Sequence, residues 1–290
     1  MTATLLPPQE ISFPDEHTRV RRARVTAPAV TSNLVLGVIG VLFALPLIWM
    51  LLASVNSHAG WGVSWPHLTL ANFGNSLKAG RAHALEISLE LAVVATVVAT
   101  FFGTLAAYAF SRRHFAWKGP LLLVVLFLAG VPINIIIIPI FQIFSQQGWL
   151  TVFPTGVFLG VTALPFEIWI IKNFIDAVPS ELEEAARLEG AKTPAILRRI
   201  VLPLAAPGIG AAAIFGFITA WGAFLVPLIL ISNASDQPGS VAISGFVSAA
   251  SINYGDIAAY SIIYSIPVLI LYLIMGRAFR GGFVLSGAIK

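Results

Sequence analysis

Glu184-Ala185-Ala186-Arg187-Leu188-Glu189-Gly190, followed after nine residues by Ile200-Val201-Leu202-Pro203, is a polar stretch set between long apolar ones. From Ile175 to Leu202 the chain carries Asp176, Glu181, Glu183, Glu184, Arg187, Glu189, Lys192, Arg198 and Arg199, a density of charge that hydrocarbon does not accept. The stretch has local order. Ser180 with Glu183 three residues on reads as a capping box, and Pro179 ends whatever helix precedes it. Gly190 supplies a left-handed helix end. Thr193-Pro194 reads as the N-cap and first residue of a second helix. Ala185 and Ala186 beside Leu182 leave a slim helix face. Two readings stay open for it: an amphipathic segment on a membrane surface, or an element that presses into a groove of another protein.

Working outward, the composition is that of an integral membrane protein. Hydrophobic residues make up 58% of the chain and charged residues 10%, against about 25% charged in soluble domains. A hydrocarbon core about 30 Å thick needs roughly 20 apolar residues per helix. The stretches 33–55, 84–110, 119–144, 153–175, 204–231 and 258–278 meet that length, which predicts six spans. Orientation follows the basic residues. Arg19, Arg21, Arg22, Arg24, Arg112, Arg113, Lys118, Lys172, Arg187, Lys192, Arg198, Arg199, Arg277, Arg280 and Lys290 share one face if the N-terminus is cytoplasmic, leaving Lys78 and Arg81 outside. Both termini and the loop at about 176–202 are then cytoplasmic. The net charge of +4 is a topology effect rather than a sign of nucleic-acid binding.

The first span is not expected to be a cleavable signal, with about thirty polar or mixed residues ahead of it and no small-residue cleavage site. Residues 1–32 form a tail whose first part, with Pro7, Pro8 and Pro14, is expected to be disordered; residues 33–290 form the membrane domain. Trp61, Trp65 and Pro66 in the first external loop read as interfacial anchors. The external segment 232–256 lies on the outer surface or dips into the bundle; sequence leaves both open. The chain has no cysteine, which excludes disulfides and thiolate chemistry.

The spacing Glu-Ala-Ala, three residues, Gly, nine residues, Ile-x-Leu-Pro resembles the cytoplasmic loop of the permease subunits of binding-protein-dependent ABC importers. The likeness runs from about Val35 to the C-terminus and is closest to the smaller permease of the maltose-type carbohydrate importers. Leu164-Pro165-Phe166-Glu167-Ile168-Trp169, Phe174 and the glycine-rich end Gly281-Gly282-Phe283 to Gly287-Ala288-Ile289-Lys290 add to it. The resemblance implies that Glu184, Ala185, Ala186, Gly190, Ile200, Leu202 and Pro203 couple the chain to an ATPase. It also implies a second, homologous permease, two ATPase subunits that bind ATP and magnesium, an extracytoplasmic solute-binding protein, and a carbohydrate substrate. Trp221-Gly222-Ala223-Phe224 departs from the family's Trp-Asn-Glu/Asp-Phe and loses its amide and acid.

The residues themselves argue against an enzyme. No G-x-x-x-x-G-K-[ST] phosphate loop, H-E-x-x-H pair or G-x-S-x-G elbow occurs, and His17, His58, His67, His83 and His114 are scattered. No cofactor or metal is expected in this chain. Polar and aromatic groups within spans mark candidates for a solute path. Asn134 and Gln142 sit eight residues apart on the third span, offering amides either to sugar hydroxyls or to neighbouring helices. Phe166 and Trp169, and Trp221 and Phe224, are rings that stack on sugars or simply pack. Glu167, five residues before Lys172, reads as an interfacial acid with a basic neighbour, and Glu86 and Glu90 as a solvated mouth. The expectation is an all-α six-helix membrane bundle serving as half of an ATP-driven importer. The alternative is a secondary transporter or channel without an ATPase.

Overall fold

The computed structural model describes residues 27–62, 65, 67–247 and 252–286, and side chains from 32 to 276 within them. The expected disordered start, most of the 1–32 tail and the last four glycine-rich residues lie outside. Among the described residues there are helices and only two isolated antiparallel bridges, Asn56 with Leu68 and Val247 with Ile252. The helices are α1 Ala27–Ser54, α2 Ala71–Ser76, α3 Arg81–Arg112, α4 Lys118–Leu128, α5 Ile133–Gln147, α6 Val152–Asp176, α7 Ser180–Leu188, α8 Thr193–Ile196, α9 Leu202–Trp221, α10 Leu225–Leu230, α11 Gly239–Ala242 and α12 Tyr254–Ser286. The chain divides into two units, 1–47 and 48–290. The first contributes most of α1, an apolar helix with Pro46 inside it.

In the second unit α3, α6 and α9 pack on one another as the centre. Small residues let them approach. Gly156 and Gly160 form a G-x-x-x-G face on α6, where a Cβ on Gly160 would stand 2.7 Å from the Ala95 carbonyl oxygen of α3. Two apolar cores result. One gathers Ile87, Leu91, Ile137, Phe144, Leu159, Trp221 and Leu230. The other, at the end nearest α7, gathers Tyr108, Ile171, Ile175, Ile196, Val201 and Ala205.

Five helices are long and apolar enough to cross a membrane, and the bent pair α4 and α5 makes a sixth if it is counted as one span. Here the expectations need correction. The third span is not one helix over 119–144: α4 and α5 meet at 89° across Ala129–Pro132, because Pro132 cannot donate the N–H a continuing helix needs. The fifth is not a helix over 204–231 either. It starts at Thr193, runs through a π-helical turn at Leu197–Val201, and stops at Trp221 before α10 resumes. The described part of the 232–256 segment dips into the bundle rather than lying flat: Gly239 N–H donates to Ser88 Oγ (2.8 Å), and Val241 and Phe246 are buried. Trp61 and Trp65 are exposed, and Pro66 lies outside the described residues. The short α5–α6 link places Phe144 on Phe158, ring centroids 5.9 Å apart.

Candidate functional site

The loop between α6 and α9 is where sequence placed the function. Gly190 has φ 87°, so the left-handed helix end is present; Ala191 N–H returns to the Ala186 carbonyl (2.9 Å), closing the turn. The two helix starts differ from expectation. The residues before α7 and α8 are Pro179 and Lys192, and neither Ser180 nor Thr193 makes a side-chain cap bond. Glu183 does not reach back to form a capping box because it is engaged elsewhere. It is only 2% exposed. Its Oε1 accepts from Arg112 Nε (2.6 Å) and its Oε2 from the Tyr108 hydroxyl (3.0 Å), with Arg187 Nη2 at 3.6 Å.

Arg112, the last residue of α3, does more than balance that charge. Its Nη2 donates to the carbonyls of Ile175 (2.9 Å) and Val178 (2.6 Å) at the end of α6, and its Nη1 to Ser111 Oγ (3.1 Å). Ile175 lies in the last turn of α6, where carbonyls lose their partner four residues on, and Val178 lies two residues past its end. One guanidinium therefore ties three elements, using its fixed fork of donors. Removing one partner of such a buried pair leaves an uncompensated charge, at a cost of about 3–5 kcal/mol.

Among the described residues, the opposite face of α7 has no partner. Glu184 and Ala185 are exposed and Leu182 is 45% exposed. Leu188, which the sequence reading did not single out, is 91% exposed. The remaining residues of the motif sit differently. Ala186 and Ile200 lean on the core near α7, Leu202 is half-buried, and Pro203 opens α9. Of the seven motif residues, Glu184 and Ala185 thus face outward on α7, Ala186 and Ile200 brace the core, and Gly190 and Pro203 are exposed at the turn and at the start of α9.

The proposed path residues divide too. Asn134, Gln142, Trp169 and Phe224 are exposed on the surface of this chain. Trp221 is buried and stacked between Phe217 and Tyr264, at 5.6 and 5.0 Å between centroids. Its Nε1 donates to the Tyr264 carbonyl (3.1 Å) while the Tyr264 hydroxyl donates to the Trp221 carbonyl. In this arrangement Trp221 caps the break in the fifth span and has no face left for a sugar. Phe166 packs on Phe215 at 4.3 Å. Glu86 and Glu90 are exposed, in keeping with a solvated mouth.

Glu167 is the clearest revision. Lys172 pairs with Asp176 (2.5 Å), and Glu167 is fully buried between α3, α6 and α9. Its Oε2 accepts from Thr100 (3.1 Å), while Oε1 has no hydrogen-bond partner and lies against Gly216, where any Cβ would overlap it. It is an isolated interior acid, not an interfacial one.

The breaks in the third and fifth spans face a single cavity of about 630 Å³. Ala129, Val131, Ile133, Thr162, Thr219 and Phe224 are among its walls, and no charged side chain lines it. Backbone outside regular helix is tolerated at membrane depth only where protein buries it or where it lines a water-filled space. Among the described residues, no cluster of His, Asp and Glu has the makings of a metal site.

An apolar helical bundle carrying one ordered polar loop now has relatives to set beside it. Residues 99–280, more than half of the chain, match the family of binding-protein-dependent transport system inner membrane components. The chain belongs to that family. It is 31% identical to the osmoprotective compounds uptake permease protein GgtD of Synechocystis sp., over 87% of this chain and 89% of that one. It is 34% identical to the trehalose transport system permease protein SugB of Mycobacterium tuberculosis, over 71% of this chain and 76% of that one. In fold it resembles a chain of a bacterial ABC transporter involved in the import of the acidic polysaccharide alginate. There the TM-score is 0.74 at 21% identity, covering 86% of this chain and 95% of the other. The permease is accordingly a multi-pass helical membrane protein, of a family whose members are transport subunits rather than enzymes.

Proposed function

We propose that this permease is one of two homologous membrane subunits of an ATP-driven importer for a sugar or sugar-like solute, in a bacterial cytoplasmic membrane with both termini inside. The observation that carries the reading is the loop: a helix pinned to the bundle on one side and exposed on the other, with Leu188 projecting from it. A solvated apolar side chain on a rigid helix fits a groove on another protein. The docking partner is an ATPase subunit, two of which serve the permease pair, since the chain has no phosphate-binding loop of its own. An extracytoplasmic binding protein delivers the solute. The relatives' names, among them one for osmoprotective compounds and one for trehalose, support a carbohydrate-like load.

Movement of solute is by alternating access. Broken membrane helices at the centre of a bundle are where other transporters place their substrates, and the shared cavity of the two breaks is this chain's half of the path. Its uncharged walls suit a neutral, hydroxylated solute with apolar ring faces. Of the residues assigned to the path from sequence, Phe224 lines this cavity. Asn134 and Gln142 occupy exposed positions on α5, and Trp169 one on α6. Replacing Phe224 by Ala, or Asn134 and Gln142 by Leu, will lower solute uptake while the ATPase stays bound; unchanged uptake kinetics would return these residues to packing.

The direct test of the function is purification of the tagged permease from its native membrane. An ATPase subunit will copurify, and hydrolysis by the complex will rise with solute-loaded binding protein. A permease that transports alone, with no ATPase attached, would fit a secondary transporter instead. Orientation has its own check. Reporters after Lys290 and at Lys192 will read cytoplasmic and one at Lys78 external; an external signal at Lys192 would put the loop beyond reach of any ATPase.

A further inference from the structure

We propose that Arg112 and Glu183 weld α7 to the ends of α3 and α6, so that a push on the docking helix enters the bundle through those two spans as one rigid body. This rests on the reading of α7 as the helix that meets the ATPase.

Nine residues are too few for a helix to hold its own orientation in water, so α7 must borrow rigidity. Its one buried side chain is Glu183. Both oxygens of that carboxylate are held from α3, by Arg112 (2.6 Å) and Tyr108 (3.0 Å). The same Arg112 holds the Ile175 and Val178 carbonyls where α6 ends. A flexible tether would leave the carboxylate solvated and the guanidinium free; here the acid is 2% exposed and the base 14%. Beyond Gly190 the chain takes another route. Its second helix, α8, passes through the π turn at Leu197–Val201 directly into α9. The loop is therefore joined to the bundle twice: α7 to α3 and α6 through these polar contacts, and α8 to α9 through the chain, with Ile196 in the core beside Tyr108, Ile171 and Ile175. Arg112 and Glu183 are positioning residues, acting on the solute only through the helices they join.

The native chain lacks cysteine, so spin labels go where cysteines are introduced. Ser180→Cys at the start of α7 and Val97→Cys on the exposed side of α3 report the separation of the two helices. The measurement is made on the purified complex, nucleotide-free and trapped with ATP and vanadate. The weld requires one narrow distance distribution, the same in both states. Arg112→Met and Glu183→Gln should at least double its width, the mark of a helix released to move, while the ATPase remains bound. Arg112→Lys keeps a charge for Glu183 but cannot also reach both carbonyls, and should fall between. If Arg112→Met does not insert, Arg112→Lys and Tyr108→Phe carry the comparison. A distance that changes on trapping in the parent would show that the contact opens during the cycle, and overturn the proposal. So would variants as narrow as the parent. Failure of the ATPase to copurify with the parent would instead sink the docking reading; the distance width in the permease alone would still decide the weld.

Discussion

Replacing Gly208 by valine will leave little folded permease in the membrane. Gly208 faces Phe174 where α9 crosses α6, and a methyl built on it would overlap Cβ, Cγ and Cδ2 of that residue. The ring alone could turn away, since Phe174 is partly exposed, but its Cβ is fixed by the backbone of α6. The helices must therefore separate. Overpacking of this kind costs typically 1–3 kcal/mol for small additions, and valine adds two more carbons on a branched Cβ. Separation also breaks the interface that buries Glu167. Alanine at 208 should cost less than valine. Gly210→Ala is the internal control, because nothing lies within 4 Å of its added carbon. Monodisperse yield after detergent extraction, and its thermal midpoint, measure the effect. A Gly208→Val protein as abundant and heat-stable as Gly210→Ala would mean that α6 and α9 are not packed as described.

Gly190→Val will leave the protein folded and stop it working. No atom stands within 4 Å of a Cβ there, so valine meets no clash; the penalty is confined to φ 87°. Forcing an L-residue into the left-handed region costs roughly 1–2 kcal/mol, enough to lower the population of the correct turn about 5–30-fold. Insertion should match the parent, since no span changes, while uptake and stimulated ATP hydrolysis fall together. Asn tolerates the left-handed region better than other L-residues, so Gly190→Asn should recover part of the activity. Glu184→Lys should act similarly by another route, reversing charge on the exposed face of α7. Normal ATPase binding, hydrolysis and uptake in Gly190→Val would remove the loop from coupling altogether.

What could be read from sequence was whatever depends on neighbours along the chain. Gly190 announces a helix end by being glycine at that place, and the spans by their apolar length. What escaped depends on partners far away. Arg112 and Glu183 are 71 positions apart, and a charge beside a membrane span is read by default as solvated. Glu167 was assigned to Lys172 by proximity, yet residues five apart lie on different sides of a helix. Lys172 and Asp176, four apart, share a side and pair. Trp221 looked like a sugar platform because stacking on Tyr264, 43 positions on, leaves no local trace. The breaks were missed for a different reason: hydropathy records that 119–144 is apolar throughout but carries no information on direction. A proline such as Pro132 permits a bend but does not state its angle, here 89°.

The π turn at Leu197–Val201 fixes the length of the connection between the docking loop and the membrane. A π turn holds one more residue than the α-helix it interrupts. Deleting a residue here would let the turn relax to regular helix without breaking it, and nothing apolar would be lost. In the regular helix beyond it the rotation would change, since each residue of an α-helix accounts for about 100° of turn and 1.5 Å of rise. A residue removed from α9 itself would swing α8 by a quarter turn or more and carry Ile196 out of its core, whereas the π turn takes up such a change within itself. A single-residue change at this turn is thus absorbed, where the same change in the regular helix beside it would re-aim the loop.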